Sequence, residues 1–175
     1  IIDTQALQYN GIYDDLLRLT DNIYVVAYGH STNTTGFLES WWIDYNGMIN
    51  NTRLGIRQFD TQFVYAPTLC KIDDGTIAVI YTGTTYGGTG NISTWDISTA
   101  GVISTSRTDL WTFSTNLNYW NSMTKIGPDV YCLVFENIST KIFAQTFVIS
   151  DDGVITKSVI DGLNLYASSC DYLST

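Results

Sequence analysis

The sequence predicts an all-β fold assembled from repeated four-stranded antiparallel units, and three observations carry that prediction. First, the stretch Thr94–Ile103 has counterparts at Ser40–Ile49 and Thr146–Ile155. In each, a hydroxyl residue precedes an aromatic, Ile follows two positions later, Gly four after that, and a second Ile closes the stretch two beyond the Gly. Alternation at period two places the aromatic and both Ile on one face of a β-hairpin, while Gly supplies the positive φ of its turn. Second, Gly47, Gly101 and Gly153 are separated by 54 and 52 residues, and a fixed period of about 50 residues marks a repeat architecture. Third, no stretch of the chain sustains helical periodicity.

Upstream of each hairpin lies another. Leu19–Tyr28, Ile72–Tyr81 and Ile126–Phe135 each read as the end of an apolar strand, a tight polar turn, and an outgoing strand that ends in an aromatic. Each unit therefore holds four strands, A to D. Unit one runs from about Asp14 to Phe59, unit two from about Ala66 to Phe113, and unit three from about Asn121 to Leu165. Residues 1–8 read as a strand D with nothing before it, and Ser168–Thr175 as strand A of a further unit. The segment Asp14–Leu19 could imitate a helical turn, but its equivalents are strand-like, so it is assigned as strand. The resulting division is 1–13 for the stray strand D, 14–65, 66–120 and 121–167 for the three units, and 168–175 for the extra strand.

Four-stranded units of this length, repeated radially, are blades of a β-propeller. The chain resembles the propeller repeats common in archaeal and bacterial surface and secreted proteins. The resemblance rests on the apolar strand A, the Gly- or Asp-centred turn, strand B ending in an aromatic, and the Thr-aromatic-x-Ile…Gly-x-Ile hairpin. It extends to the tails Arg57–Asp60, Thr108–Phe113 and Ile160–Leu165. The units lack the recurring Gly-His…Trp-Asp signature of WD-type blades and the recurring paired glycines of Kelch blades. Three blades plus two stray strands cannot close a ring, since known rings hold at least about four. The expectation is a segment of a longer propeller, with blades completed by another copy of the chain as the alternative. The opening on Ile1-Ile2, without the basic start of a signal peptide, agrees with a segment.

Of 175 residues, only 14% are charged, while aromatics reach 14%, which describes a globular β-rich chain and not a disordered one. Seventeen acidic against eight basic residues give a net charge of −9. The basic residues form no run, which argues against nucleic acid and an anionic membrane surface. No apolar run approaches the roughly 18 to 20 residues of a bilayer span. Cys70, Cys132 and Cys170 are too scattered for a disulfide framework or a zinc site. Buried free thiols are expected, with a Cys132–Cys170 bridge as the alternative.

Catalytic patterns are scarce. His30 is the only histidine, no Gly-x-Ser-x-Gly elbow occurs, and His30 reads as a solvated loop residue. The pairs Asp14/Asp15, Asp73/Asp74 and Asp151/Asp152 are sequence neighbours, mostly in turns, and so read as turn formers. The Asp box of sialidase-like propellers, a calcium loop and a phosphate cradle are not matched, and no cofactor or metal is expected. Candidate N-glycosylation acceptors are Asn33, Asn50, Asn91 and Asn137, three of them in or beside successive B–C loops. The aromatics Tyr9, Tyr13, Phe63, Tyr65, Tyr119, Trp120 and Tyr166 fall in the D–A connections, where they could pack between blades or form a glycan-binding face. The function expected is a non-catalytic extracellular or cell-surface module with a structural, assembly or adhesion role. Its partners would be other copies of the chain, the rest of a longer propeller, or carbohydrate. The alternative is a lectin-like propeller, and a polysaccharide-cleaving enzyme ranks third.

Overall fold

The computed structural model describes residues 3–30, 35–83, 88–139 and 141–166, without a helix among them. Sheet I contains β1 (Gly11–Arg18), β2 (Ile23–His30), β3 (Gly36–Trp42) and β4 (Gly55–Asp60). Sheet II contains β5 (Val64–Lys71), β6 (Thr76–Gly83), β7 (Thr89–Asp96) and β8 (Asp109–Ser114). Sheet III contains β9 (Leu117–Gly127), β10 (Val130–Asn137), β11 (Ile142–Val148) and β12 (Asp161–Tyr166). Each sheet is an antiparallel meander whose strands pair in chain order. The first strands contact one another, β1 with β5 and β5 with β9.

Burial follows from this order. Sheet II is sandwiched, so every residue of β6 is buried, and its apolar run reads continuously because both faces meet protein. Its Ile77, Val79 and Tyr81 pack against Val25, Ala27, Leu38 and Phe59 of sheet I. On the opposite face, Ala78, Ile80 and Ile92 pack against Tyr131, Leu133, Phe135 and Phe147 of sheet III. In β2 only the face toward sheet II is fully buried. Ile23, Val25 and Ala27 are covered, whereas Tyr24 and Val26 are half-buried on the other side. The early glycines of β3 and β7 have a packing cause. The ring of Phe59 lies over Gly36 and that of Phe113 over Gly90, where any Cβ would collide with the ring.

The three repeated hairpins form as their sequence requires. Gly47, Gly101 and Gly153 have φ of 83°, 80° and 82°, and the flanking isoleucines bridge as Ile43–Ile49, Ile97–Ile103 and Ile149–Ile155. These turns also join the sheets. Ser40 Oγ of sheet I donates to Gly101 O of sheet II at 2.5 Å, and Thr94 Oγ1 of sheet II donates to Gly153 O of sheet III at 2.6 Å. The turn lies so close to sheet I that a Cβ on Gly101 would stand 2.3 Å from Leu54 Cδ1. At the ends of the first strands, Lys71 Nζ donates to Leu19 O at 2.5 Å and Lys125 Nζ to Ile72 O at 3.3 Å. Equivalent residues thus make equivalent bonds at both interfaces.

Residues 3–10 differ from the expectation for the first stretch of chain: they are not a strand. No strand among the described residues pairs with their backbone, and side-chain bonds hold the segment. Asp3 Oδ2 accepts from Ile49 N at 2.9 Å, Gln5 Nε2 donates to Asn51 Oδ1 at 2.7 Å, and Gln8 N donates to Glu39 Oε1 at 2.8 Å. Gly11 and Ile12, assigned from sequence to the stray strand, pair with β2 instead, and Tyr13 forms the bulge that follows them in β1. The extra strand over 168–175 lies outside the described residues, as does Cys170 and with it the Cys132 pairing. Cys70 is a buried thiol and Cys132 a half-buried one.

Two substitutions probe the shared turn contact. Ser40→Ala leaves Gly101 O without its donor and is expected to cost about 1 kcal/mol. Gly101→Ala adds left-handed backbone strain and displaces Leu54, an expected cost of about 2 kcal/mol or more. Urea unfolding of the two variants measures both, and equal stabilities for wild type and Gly101→Ala would contradict the geometry.

Candidate functional site

A concavity with a volume of about 480 Å³ lies between sheets I and II. Sheet I contributes Gln58, Asp60 and Gln62 from the end of β4 and the connection that follows it. Sheet II contributes Asn91, Trp95 and Arg107. Asp60 is fixed by two donors: Tyr81 OH reaches Oδ2 at 2.7 Å and Gln62 N reaches Oδ1 at 2.9 Å. A carboxylate, a guanidinium and three amides therefore surround a space floored by aromatic rings. That set suits hydrogen bonding to a polyhydroxylated or acidic ligand.

The short connection 61–63 leads from this pocket to an aromatic cluster. Phe63 stacks on Tyr65 with centroids 5.2 Å apart, and Tyr65 lies 4.0 Å from the Tyr13 ring with the two hydroxyls in contact. The hydrogen bond from Tyr65 leads in holding the Tyr13 phenol above its usual range, with burial adding. Tyr13 and Ala66 adopt left-handed φ values of 52° and 43°. Both sit where the register of the first strand slips, β1 between Ile12 and Asp14 and β5 between Tyr65 and Thr68. The bulge turns Tyr13 outward onto Tyr65.

Of the aromatics singled out from the sequence, the structure unites Tyr13, Phe63 and Tyr65. Tyr9 lies apart, its ring against His30 and Phe37. Trp120 is exposed, and the side chains of Tyr119 and Tyr166 lie outside the described residues. Only Phe63 stands in a connection between sheets. Tyr13, Tyr65, Tyr119, Trp120 and Tyr166 belong to strands, because the connections between sheets are much shorter than the sequence suggested.

Other positions also move. His30 is not a solvated loop residue: it ends β2 with its ring edge-on to Tyr9 at 5.0 Å and to Phe37 at 6.2 Å. Asn91 is no loop asparagine either. It is buried in β7, where its amide donates to Thr89 Oγ1 at 3.1 Å and its carbonyl accepts from Thr112 at 2.8 Å, so no glycan can reach it as folded. Asn50 is exposed in a hairpin, Asn137 ends β10 with its carbonyl accepting from Ser139 N and Lys141 N, and Asn33 lies outside the described residues.

The sequence reading missed Glu39. Its side chain is wholly buried in β3, where Oε1 accepts from Tyr28 OH at 2.6 Å and Oε2 has no partner. Its counterparts in the other sheets are the uncharged Ser93 and Gln145. A lone acid at a position that is neutral in both other copies was the available signal.

Burial, then the hydrogen bond and charge of Glu39, push the Tyr28 phenol well above its ordinary range, with Arg53 opposing. Burial, then the Asp60 charge and hydrogen bond, do the same to Tyr81 against a pull from Arg107. The folded pKa lies above the unfolded one in both cases. Their contribution is therefore complete below the unfolded phenol value of about 10 and is lost as pH rises beyond it. Stability is expected to fall on titration from neutral to strongly alkaline pH, and Tyr81→Phe to flatten part of that fall in pH-dependent urea midpoints. Burial also raises the Cys70 thiol to about 11 against a pull from Lys125, so Cys70 should resist alkylation at mildly alkaline pH until the chain unfolds.

A scan against models of known protein families finds no match, and a comparison with characterised proteins finds none either.

Proposed function

We propose that the three sheets are consecutive blades of a β-propeller, and that the chain is a non-catalytic structural module of an extracellular or cell-surface protein, acting in assembly or adhesion. The observation that carries this reading is the repetition of polar bonds between sheets. Ser40–Gly101 recurs as Thr94–Gly153, and Lys71–Leu19 recurs as Lys125–Ile72. A constant step from one sheet to the next, with the first strands side by side, is the geometry of blades about a common axis.

Electron microscopy of the purified chain tests the arrangement: wedge- or disc-shaped particles are expected, and a two-layered sandwich would end the reading. Labelling intact producing cells with a membrane-impermeant amine reagent tests location. Modification of Lys71, Lys141 or Lys157 is expected, and labelling only after lysis would remove the surface assignment.

A second reading, glycan binding, is favoured by the polar pocket beside the Tyr13–Phe63–Tyr65 cluster. The exposed Tyr13 ring and the half-buried Phe63 and Tyr65 rings offer apolar surface to sugar C–H groups, while Asp60, Arg107 and the amides offer bonds to hydroxyls or an acidic substituent. On a glycan array, Tyr65→Ala and Arg107→Ala are each expected to weaken binding about tenfold or more. Equal signals from wild type and both variants would exclude this pocket.

A further inference from the structure

Two contacts between sheets, hydroxyl to turn carbonyl and lysine to strand-end carbonyl, are complete twice and half-written at each end of the described chain, while a third, carboxylate to the isoleucine after the turn, is made only between sheets II and III and by Asp3 on sheet I. Thr146 of sheet III stands where Ser40 and Thr94 stand, but its hydroxyl makes only a 3.5 Å contact with Asp161 O of its own sheet. Ile126 holds the place of Leu19 and Ile72, whose carbonyls receive lysines. Arg18 of sheet I holds the place of those lysines, yet it turns back onto Thr20 O and Asp21.

Asp161 is the most telling position. Asp3, Asp109 and Asp161 share one local geometry, found also at Asp15, in which Oδ1 accepts the next backbone N–H: Asp3 from Thr4, Asp109 from Leu110 and Asp161 from Gly162, at 2.7, 2.7 and 2.8 Å. In the first two, Oδ2 reaches across to the isoleucine after a turn glycine. Asp3 binds Ile49 N at 2.9 Å and Asp109 binds Ile155 N at 3.0 Å. Asp161 Oδ2 has no such partner among the described residues. Around it Ile160 and Leu163 are 60% and 62% exposed.

The complementary face is on sheet I. Leu16 is 58% exposed, whereas its counterparts Leu69 and Met123 are each 7% exposed. An apolar groove with Leu16, Tyr24, Val26 and Trp41 lies beside it, roofed by Gln5 and Leu7, and Trp41 Nε1 is buried there without an acceptor.

We propose that sheet III of one copy docks on sheet I of a second copy, head to tail, with Asp161 taking Ile49 N–H from Asp3. The proposal rests on the blade reading above, because it continues the step between sheets I, II and III. Thr146 then meets the Gly47 turn, and Arg18 meets the Ile126 carbonyl. Residues 3–8 act as the internal competitor, since they hold the bond that the second copy must take. An open head-to-tail contact of this kind gives a ring if the rotation closes and a filament if it does not.

The test is the molar mass of the full chain by sedimentation across a concentration series, for wild type, Asp161→Lys and Asp3→Lys. Wild type is expected to associate with rising concentration. Asp161→Lys should raise the association midpoint about tenfold or more, and Asp3→Lys should lower it by releasing the competitor. Opposite signs for two acid-to-lysine changes of equal charge cannot come from net charge or general destabilisation. A wild type that stays monomeric throughout, or two variants that shift the same way, overturns the proposal. Particle shape by microscopy remains a separate readout, so monomeric wedges would end the docking and leave the blade reading standing.

Discussion

The fold depends on a hydroxyl from one sheet gripping the turn carbonyl of the next. The grip works because the turn residue is glycine. With φ near 80° at Gly101, the peptide following the turn presents its carbonyl toward Ser40, and the missing side chain lets Leu54 close against the backbone. A carbonyl in that position is buried and would be costly without a donor. Apolar packing alone tolerates sliding between two faces. A buried acceptor with one matching donor does not, so the pair sets register while the isoleucines and aromatics around it supply the driving force.

The same logic explains why equivalent residues differ so much in exposure. Tyr24, Ile77 and Tyr131 hold the same place in the three sheets, yet Ile77 and Tyr131 are fully buried and Tyr24 is not. Nothing local separates them. The difference is a neighbouring sheet, which sheets II and III have on that side and sheet I replaces with residues 3–10. Glu39 belongs to this half-covered face. Counterparts packed against a full sheet are Ser93 and Gln145, whereas Glu39 meets Gln8, Tyr28 and, at 3.9 Å, Arg53. A carboxylate fits there because the covering segment brings one backbone donor, Gln8 N, to join Tyr28 and Arg53 of sheet I's own stretch of chain in offsetting desolvation.

How much was legible in the sequence follows from the range of each interaction. The hairpin turns were readable because Gly47, Gly101 and Gly153 act locally and recur. The four strands of each unit were readable from apolar stretches, alternating or, as in β6, continuous, set between turn residues and recurring from unit to unit. The register slips that place Tyr13 and Ala66 in left-handed backbone were not readable, since neither residue favours that region and tertiary packing imposes it. Asn91 looked like a loop asparagine because glycines surround it. Those glycines extend β7 instead: the Phe113 ring lies on Gly90, and the strand carries Asn91 inside with it. His30 was misplaced for a related reason, because the polar residues after it masked the aromatic contacts that end β2.

The two complete interfaces are not identical, and the difference shows which contact is indispensable. Asp109 bridges to Ile155 N between sheets II and III, and Lys157 and backbone N–H groups hold its carboxyl below the usual range even though burial works against them. The counterpart between sheets I and II is Gly55, where a Cβ would stand 3.1 Å from Ile103 N and 3.2 Å from Gly101 O. There the turn of sheet II occupies the space a carboxylate would need. One interface inserts an acid and the other closes up, yet both keep the hydroxyl-to-turn bond at 2.5 to 2.6 Å. The carboxylate is thus a variable spacer, and the hydroxyl grip on the glycine turn is the constraint that any further sheet joining this chain would have to satisfy.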